Sequence, residues 1–381
     1  MRDIIFRKSE FLYLTAFAIL VFKISLGNTT FVEFIDNKSI IWKSTSSLPY
    51  ALIIFKILFQ KLSLKNIVSS LIVFICFFIT FYCTVNTEII TLAILLIGIQ
   101  NVAFKKVVVT HFYVYGFVMI SALVASILDI TEMYKIESNV HGIRYALGST
   151  YPTDFSAGIL YLLLSFIYFT KIFKLRYFII WFCIVTITFI FTKARTDFLL
   201  CLILLLSKTF VCHDRHLYPD KILIYSYLRR LSIIIFPLLF ILSYISVLFF
   251  NNGNSFIHEV NVLLNYRIGF ISNFLSDYNI NLFGNQIIMT GSGFGTSTGQ
   301  DYSFLDNGYF FTLLRNGVVI TFFIIIGFSL VAFKSSNIVI NYILVFIAIN
   351  ALIEPRFISF EYNPFLLLIG IVLLNNRKYV S

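Results

Sequence analysis

The chain has 381 residues, of which 59% are hydrophobic and 12% are charged, and its formal net charge is +11. A soluble protein carries roughly 25% charged residues and about 45–50% apolar ones. The polar residues are too few to cover a soluble fold, so the composition indicates an integral membrane protein. It excludes cytosolic enzymes, nucleic-acid-binding proteins and secreted domains held by disulfides.

Apolar stretches of about 20 residues predict transmembrane helices. Twelve such stretches lie between polar breaks, and the second is the weakest because it is short and carries Lys56. They cover residues 11–27, 46–60, 66–83, 88–104, 107–128, 153–170, 177–192, 196–212, 231–250, 317–333, 338–353 and 362–374. The sequence therefore predicts an all-α, polytopic membrane helix bundle of about 12 transmembrane helices, within a range of about 11 to 13.

The placement of the basic residues predicts the orientation. If both termini are cytoplasmic, the inner segments, including 213–230, collect most of the lysines and arginines and few acids. An excess of Lys and Arg marks cytoplasmic loops. We therefore expect a multi-pass protein of the cytoplasmic (inner) membrane with both termini inside. The positive net charge then follows from topology, and no nucleic-acid partner is expected.

Residues 1–381 are predicted to form one integral membrane domain with two long outer loops. The first covers 129–152, and the second covers 251–316, between the ninth and tenth spans. The second loop contains glycines between 284 and 295, which we interpret as turns because the Gly-Lys-Ser/Thr of a phosphate-binding loop is missing. The apolar segment after Asp306 is too short to span and predicts a short amphipathic or re-entrant helix.

Basic residues in the predicted outer segments are a minority that needs a reason. Arginine binds phosphate oxygens through two parallel hydrogen bonds, so a group of them would suit a diphosphate at the membrane surface. The alternative is that each pairs with a nearby acid, such as Asp154, Asp197, Asp306 or Glu354, and that Lys193 extends to the membrane surface. The basic residues are Arg144, Lys193, Arg195, Arg267, Arg315 and Arg356.

Five short motifs follow one another in the second two thirds of the chain. They are R-x-x-L-G-x-x-Y-P-T-D (Arg144 to Asp154), T-K-A-R-T (Thr192 to Thr196), N-Y-R (Asn265 to Arg267), L-F-G-x-x-I (Leu282 to Ile287) and D-N-G-Y-x-x-x-L-x-R-x-G (Asp306 to Gly317). Together with the late, long outer loop, this order resembles Wzy-type polysaccharide repeat-unit polymerases. Those enzymes belong to a superfamily that also includes the O-antigen ligases.

The resemblance implies glycosyl transfer on the outer face of the cytoplasmic membrane, in the biosynthesis of O-antigen, capsule or exopolysaccharide. The donor would be a polyprenyl-diphosphate-linked oligosaccharide, and no metal or other cofactor is expected. By position the diphosphate would be bound by Arg144, Arg195 and Arg267, with Lys193 and Arg315 as further candidates. Membrane lipids, a flippase and a chain-length regulator are the expected partners.

Asp306 and Asn307 are the candidate catalytic residues. Ligases of the superfamily often carry His-Asn or His-Ser at this position, so here a carboxylate would accept the proton of the acceptor hydroxyl. The alternative role for Asp306, as for Asp154, is to cap a helix. Secondary candidates for the site are Tyr151, Asp154, His141, Tyr266 and Arg356.

Three other functions remain open at this point. A glycan ligase would share the fold and the donor. A lipid-linked oligosaccharide flippase or another transporter would be expected to place ionisable residues near the middle of the membrane, whereas most basic residues here lie at the ends of spans. A non-catalytic assembly subunit is the third alternative.

Overall fold

The structure is a computed structural model that describes residues 2–35, 39–60, 63–138, 142–170, 172–208, 222–291 and 303–374. Within them the chain is almost entirely helical, with one two-stranded hairpin. The predicted all-α membrane fold is therefore confirmed at the level of its class. The described residues group into two compact units. Whether these act as one domain over 1–381 stays a prediction.

The first unit comprises Met1–Leu62, Gly98–Ile222 and Phe360–Leu367. Helix α1 packs against α2 and α5, α5 packs against α6, and α6, α7 and α8 pack against one another. The bounds are α1 Arg2–Gly27, α2 Ile40–Leu58, α5 Phe104–Ile127, β1 Lys135–Ser138, β2 Gly142–Tyr145, α6 Pro152–Phe169, α7 Leu175–Thr192 and α8 Arg195–Lys208.

The second unit comprises Ser63–Ile97, Leu223–Ser359 and Leu368–Ser381. Helix α13 is its centre and packs against α3, α14 and α15. The bounds are α3 Leu64–Thr84, α4 Thr87–Gly98, α9 Ile222–Asn251, α10 Ser255–Leu263, α11 Arg267–Asp277, α12 Gly308–Phe311, α13 Gly317–Lys334, α14 Ile338–Asn350 and α15 Leu368–Leu374.

Seven helices of the described chain are long and apolar enough to cross a membrane. They are Ser9–Gly27, Leu64–Thr84, Phe104–Ile127, Pro152–Phe169, Leu175–Thr192, Tyr225–Asn251 and Gly308–Lys334. Four shorter apolar helices, Thr45–Leu58, Thr87–Gly98, Ile338–Asn350 and Pro364–Leu374, and the more charged α8 coincide with the other predicted stretches. The chain is thus a helical membrane protein, and the count of about 12 spans stays a prediction.

The lysine within the second apolar stretch is fully buried and has partners. The Lys56 ammonium donates to the carbonyl oxygens of Gly98 and Gln100, the latter at 2.8 Å, and lies 5.1 Å from the centre of the Tyr13 ring. Gly98 is the last residue of α4. Because a helix exposes unpaired carbonyls and a negative dipole end at its C-terminus, the charge of Lys56 stabilises this end.

The long outer loops predicted from the sequence are largely ordered. The first carries an antiparallel hairpin, β1 with β2, in which Arg144 pairs with Ile136. The second carries α10 and α11, and its residues 292–302 lie outside the described part of the chain. The predicted inner loop 213–230 also lies in part outside it, because 209–221 are not described.

The segment after Asp306 differs in extent from the expected short helix. Helix α12 begins at Gly308 and continues through a π-helical turn, Thr312–Asn316, directly into α13. Gly317, predicted to begin the tenth span, is the first residue of α13, and its positive φ of 85° marks the junction with the π-helical turn. The whole of Gly308–Lys334 is long enough to cross a membrane.

Candidate functional site

Three of the predicted basic residues of the first unit lie at or beside the short connection between α7 and α8. Helix α7 ends at Thr192 because Lys193 adopts a left-handed conformation with φ of 54°, and Arg195 begins α8 two residues later. Arg144, from β2, donates from Nε to the carbonyl oxygen of Thr192 at 2.9 Å. Its guanidinium carbon lies 5.6 Å from the centre of the Tyr151 ring. We call Arg144, Lys193 and Arg195 the basic corner.

The cations of the basic corner have no acidic partner among the described residues. Arg144 uses only Nε in its one hydrogen bond, while Lys193 and Arg195 form no side-chain hydrogen bond or ion pair within that part of the chain. Pairing with a local acid, the alternative considered for these residues, is therefore not what the structure contains. The two terminal nitrogens of Arg144 form no hydrogen bond with the described residues.

The acids nearest in sequence to the basic corner have other partners. Asp197 lies in the first turn of α8, is almost fully buried, and accepts a hydrogen bond from the Ser156 hydroxyl. Asp154 accepts from the Thr150 hydroxyl at 3.0 Å. The capping role considered for Asp154 is wrong, since Tyr151 is the N-cap of α6 and Pro152 follows at the first helical position.

A small cavity lies between α6, α7 and α8. Its volume is about 10 Å³, which is room for about one water molecule. Polar groups of Ser156, Thr188, Thr192 and Asp197 line it together with apolar side chains. The cavity is therefore too small for a substrate molecule.

The second unit holds the other predicted residues, and Arg267 is the most constrained of them. Arg267 begins α11, donates from a terminal nitrogen to the Ile353 carbonyl oxygen at 2.7 Å, and lies with Nε 3.6 Å from an Asp306 carboxylate oxygen. Both side chains remain partly exposed, at 17% and 20%. The local-acid alternative therefore describes Arg267 in this structure, although the pair is long and accessible.

Asn307, rather than Asp306, caps the following helix. Its side-chain oxygen accepts from Phe310 N at 3.1 Å, and its side-chain nitrogen donates to the Leu352 carbonyl oxygen at 3.0 Å and to Ser243 Oγ at 3.3 Å. The capping role considered for Asp306 is thus taken by its neighbour. The Asp306 carboxylate therefore does not cap the start of α12, and it is half-buried beside Arg267.

Arg356 and Arg315 have different surroundings. Arg356 forms an ion pair with the buried Glu354 carboxylate, as the local-acid alternative expects. Arg315 lies in the π-helical turn with its guanidinium carbon 5.2 Å from the centre of the Phe311 ring, and no acid within the described ranges pairs with it. Of the predicted arginines of this unit, Arg315 is the one that forms no ion pair with a described acid.

Two glycines hold the π-helical turn against the preceding loop. Gly284 has φ of 84° and Gly317 has φ of 85°, and a Cβ on either would overlap backbone atoms of the other's segment. Asn285 N donates to the Leu314 carbonyl oxygen and Val319 N to the Leu282 carbonyl oxygen, each at 3.1 Å. The two glycine-containing motifs noted in the sequence are therefore direct packing partners, and they position Arg315.

The predicted residues thus divide between the units. Tyr266, the exposed residue before α11, has a left-handed conformation with φ of 63°. His141 lies outside the described residues. The first unit contains Arg144, Tyr151, Asp154, Lys193 and Arg195, and the second contains Tyr266, Arg267, Asp306, Asn307, Arg315 and Arg356.

Sequence reasoning missed the groups that orient these side chains. Arg144 and Arg267 are fixed by the backbone carbonyls of Thr192 and Ile353. Every residue has a backbone carbonyl, so the sequence does not indicate which one accepts the hydrogen bond. Among the described residues, no three His, Cys, Asp or Glu side chains are grouped so as to hold a metal ion.

Comparison of the chain with models of protein families, with curated proteins and with solved structures finds no match.

Proposed function

We propose that the protein polymerises polyprenyl-diphosphate-linked oligosaccharide repeat units on the outer face of the cytoplasmic membrane. The observation that carries the proposal is the basic corner. It holds Arg144, Lys193 and Arg195 at the junction of the candidate span α7 with α8, and no acid of the described chain pairs with them. A diphosphate linked to a lipid presents a compact negative charge at that level of a membrane.

The proposed reaction requires mainly positive charge from the basic corner. In the proposed reaction the bond between the anomeric carbon and the diphosphate oxygen breaks, and the acceptor hydroxyl forms the new glycosidic bond. The leaving diphosphate gains negative charge, which fixed cations stabilise most in a poorly hydrated site. Arg144 suits this role because the Thr192 carbonyl holds one of its nitrogens and leaves the other two.

The second unit is proposed to activate the acceptor. Asp306 would take the proton of the attacking hydroxyl, and its partner Arg267 would hold the carboxylate in place. The pair supports this because both side chains are partly exposed and because Asn307, not Asp306, caps the following helix. Arg315 is proposed to bind a further phosphate or sugar oxygen of the substrate.

The test of the proposal is donor binding and chain extension by the purified protein in lipid nanodiscs. Arg195→Lys is the sharpest variant, since the Arg195 side chain makes no hydrogen bond within the described structure and its loss leaves the fold intact. Lysine keeps the charge but not the two-pronged geometry. We expect a loss of about 1.5–3 kcal/mol, the value of a charge-assisted hydrogen bond, or roughly 10- to 150-fold in donor affinity.

Arg176→Lys is the matched control, because Arg176 is an exposed arginine near the start of α7, the helix whose other end adjoins the basic corner. It should bind the donor and extend chains as the wild type does. Equal affinity in Arg195→Lys and the wild type would reject the diphosphate assignment. A single transfer without a ladder of longer products would instead assign the ligase activity.

A further inference from the structure

Helix α10 presents an apolar face that no described element covers. Phe256 is 67% exposed and Leu263 is 80% exposed, with Val260 between them. These positions are four and three residues apart, so they share one face of the helix. The opposite side faces the protein, where the buried Asn261 accepts a hydrogen bond from Gly269 N at 3.1 Å.

The level of α10 is fixed by the end of a membrane helix. The candidate span Tyr225–Asn251 ends four residues before α10 begins. The connection turns back at once, because Gly253 has φ of 74° and Asn254 N donates to the Phe249 carbonyl oxygen at 3.1 Å. The His258 ring then lies 4.4 Å, centre to centre, from the Phe250 ring in the last turn of α9. Helix α10 is therefore held beside the end of the span.

We propose that α10 lies in the membrane–water interface and that the face formed by Phe256, Val260 and Leu263 contacts the lipid of the bilayer. An amphipathic helix at this level buries its apolar face about 5–10 Å into the boundary between headgroups and acyl chains. Phe249, in the last turn of α9, is also an exposed apolar side chain, at 49%. The lipid is the occupant because the face begins where an apolar span ends.

The anchoring has a structural consequence for the second unit. Asn265 and Tyr266 link α10 to α11 through two consecutive left-handed residues, with φ of 53° and 63°. Arg267 follows directly as the first residue of α11. The turn and the Asn261 hydrogen bond leave little freedom between the helices, so an α10 anchored in lipid fixes the height of Arg267 above the bilayer. This holds whatever reaction the protein performs.

A fluorine probe on either side of α10 tests the proposal. Trifluoromethyl-phenylalanine is placed at Phe256, at Leu263, or at Val262 in the full chain, which is reconstituted in lipid nanodiscs. Val262 is the matched control, because it is an exposed apolar side chain, at 55%, on the far side of Glu259 from Leu263. Relaxation of the fluorine signal is measured with dissolved oxygen, which partitions into lipid, and with a water-soluble nickel chelate.

We expect oxygen to dominate at Phe256 and Leu263 and the nickel chelate to dominate at Val262, with ratios that differ several-fold. Dominance of nickel at all three positions would put the face in water and overturn the proposal. Protection from both reagents at Phe256 and Leu263 would mean that protein, such as a second copy of the chain, covers the face, and would overturn it as well. Phe256 is nearly isosteric with the probe, so one variant keeps the native fold.

Discussion

Replacement of Gly284 by alanine should destabilise the protein far more than the same replacement at Gly142. Both glycines have positive φ, 84° and 66°, so alanine is strained at either position by about 1–2 kcal/mol. At Gly142 the new Cβ meets no atom within 4 Å, whereas at Gly284 it overlaps the backbone of Arg315 and Asn316. The difference in unfolding free energy between the two variants therefore measures the cost of the overlap between the new Cβ and the backbone of Arg315 and Asn316.

The magnitude follows from the hydrogen bonds that this approach supports. Relief of the overlap at Gly284 must part the loop from the π-helical turn and disturb the bonds from Asn285 N, Val318 N and Val319 N. At roughly 1 kcal/mol each, with the backbone strain added, we expect about 4–5 kcal/mol for Gly284→Ala against about 1–2 kcal/mol for Gly142→Ala.

The assay is thermal unfolding of both variants in lipid nanodiscs under one protocol, with chain extension measured below the transition. Gly284→Ala should unfold at the lower temperature and extend chains poorly, because Arg315 moves with the turn. Equal unfolding temperatures for the two alanine variants would refute the argument that the two glycine motifs pack against each other.

Three further predictions concern the membrane helices and the candidate base. Lys56→Met should lower the unfolding temperature by several degrees, because it removes the hydrogen bonds to the end of α4. Lys43 is an exposed lysine on the same helix, and Lys43→Met should leave the unfolding temperature unchanged. Equal unfolding temperatures for the two variants would contradict the role of Lys56 at the end of α4. Asp306→Asn should abolish most chain extension while donor binding is retained, and near wild-type extension would move the search for a base elsewhere. A cysteine at Ser255 should react with an impermeant thiol reagent in intact cells and one at Tyr218 should not, with the reverse pattern contradicting the predicted topology.

The helices were predictable because a membrane leaves the backbone few choices. Buried or lipid-exposed peptide groups must be paired within the chain, which favours helices wherever apolar residues run on. Local signals added some boundaries, such as Pro152 at the first position of α6. The predicted start of the tenth span at Gly317 is the first residue of α13, whereas the positive φ of Gly317 and the π-helical turn before it could not be read from the sequence.

The candidate site was less accessible to the sequence, for two physical reasons. Asp and Asn cap helices about equally well, so adjacent Asp306 and Asn307 gave no basis for choosing the cap that the fold selects. Partners distant in sequence were also invisible, as with the Arg144 side chain and the Thr192 carbonyl, 48 residues apart. The residue types were therefore identified, while their orientation depended on the tertiary fold.

The buried position of Lys56 also bears on how the chain enters the membrane during synthesis. Lys56 lies in the last turn of α2, where a lysine costs less on insertion than at the centre of a span because its side chain can extend toward the membrane surface. The carbonyls that accept its hydrogen bonds belong to Gly98 and Gln100, more than 40 residues later in the chain. These two bonds cannot form until those residues have been synthesised, so Lys56 reaches its final buried position only after the chain through Gln100 has emerged.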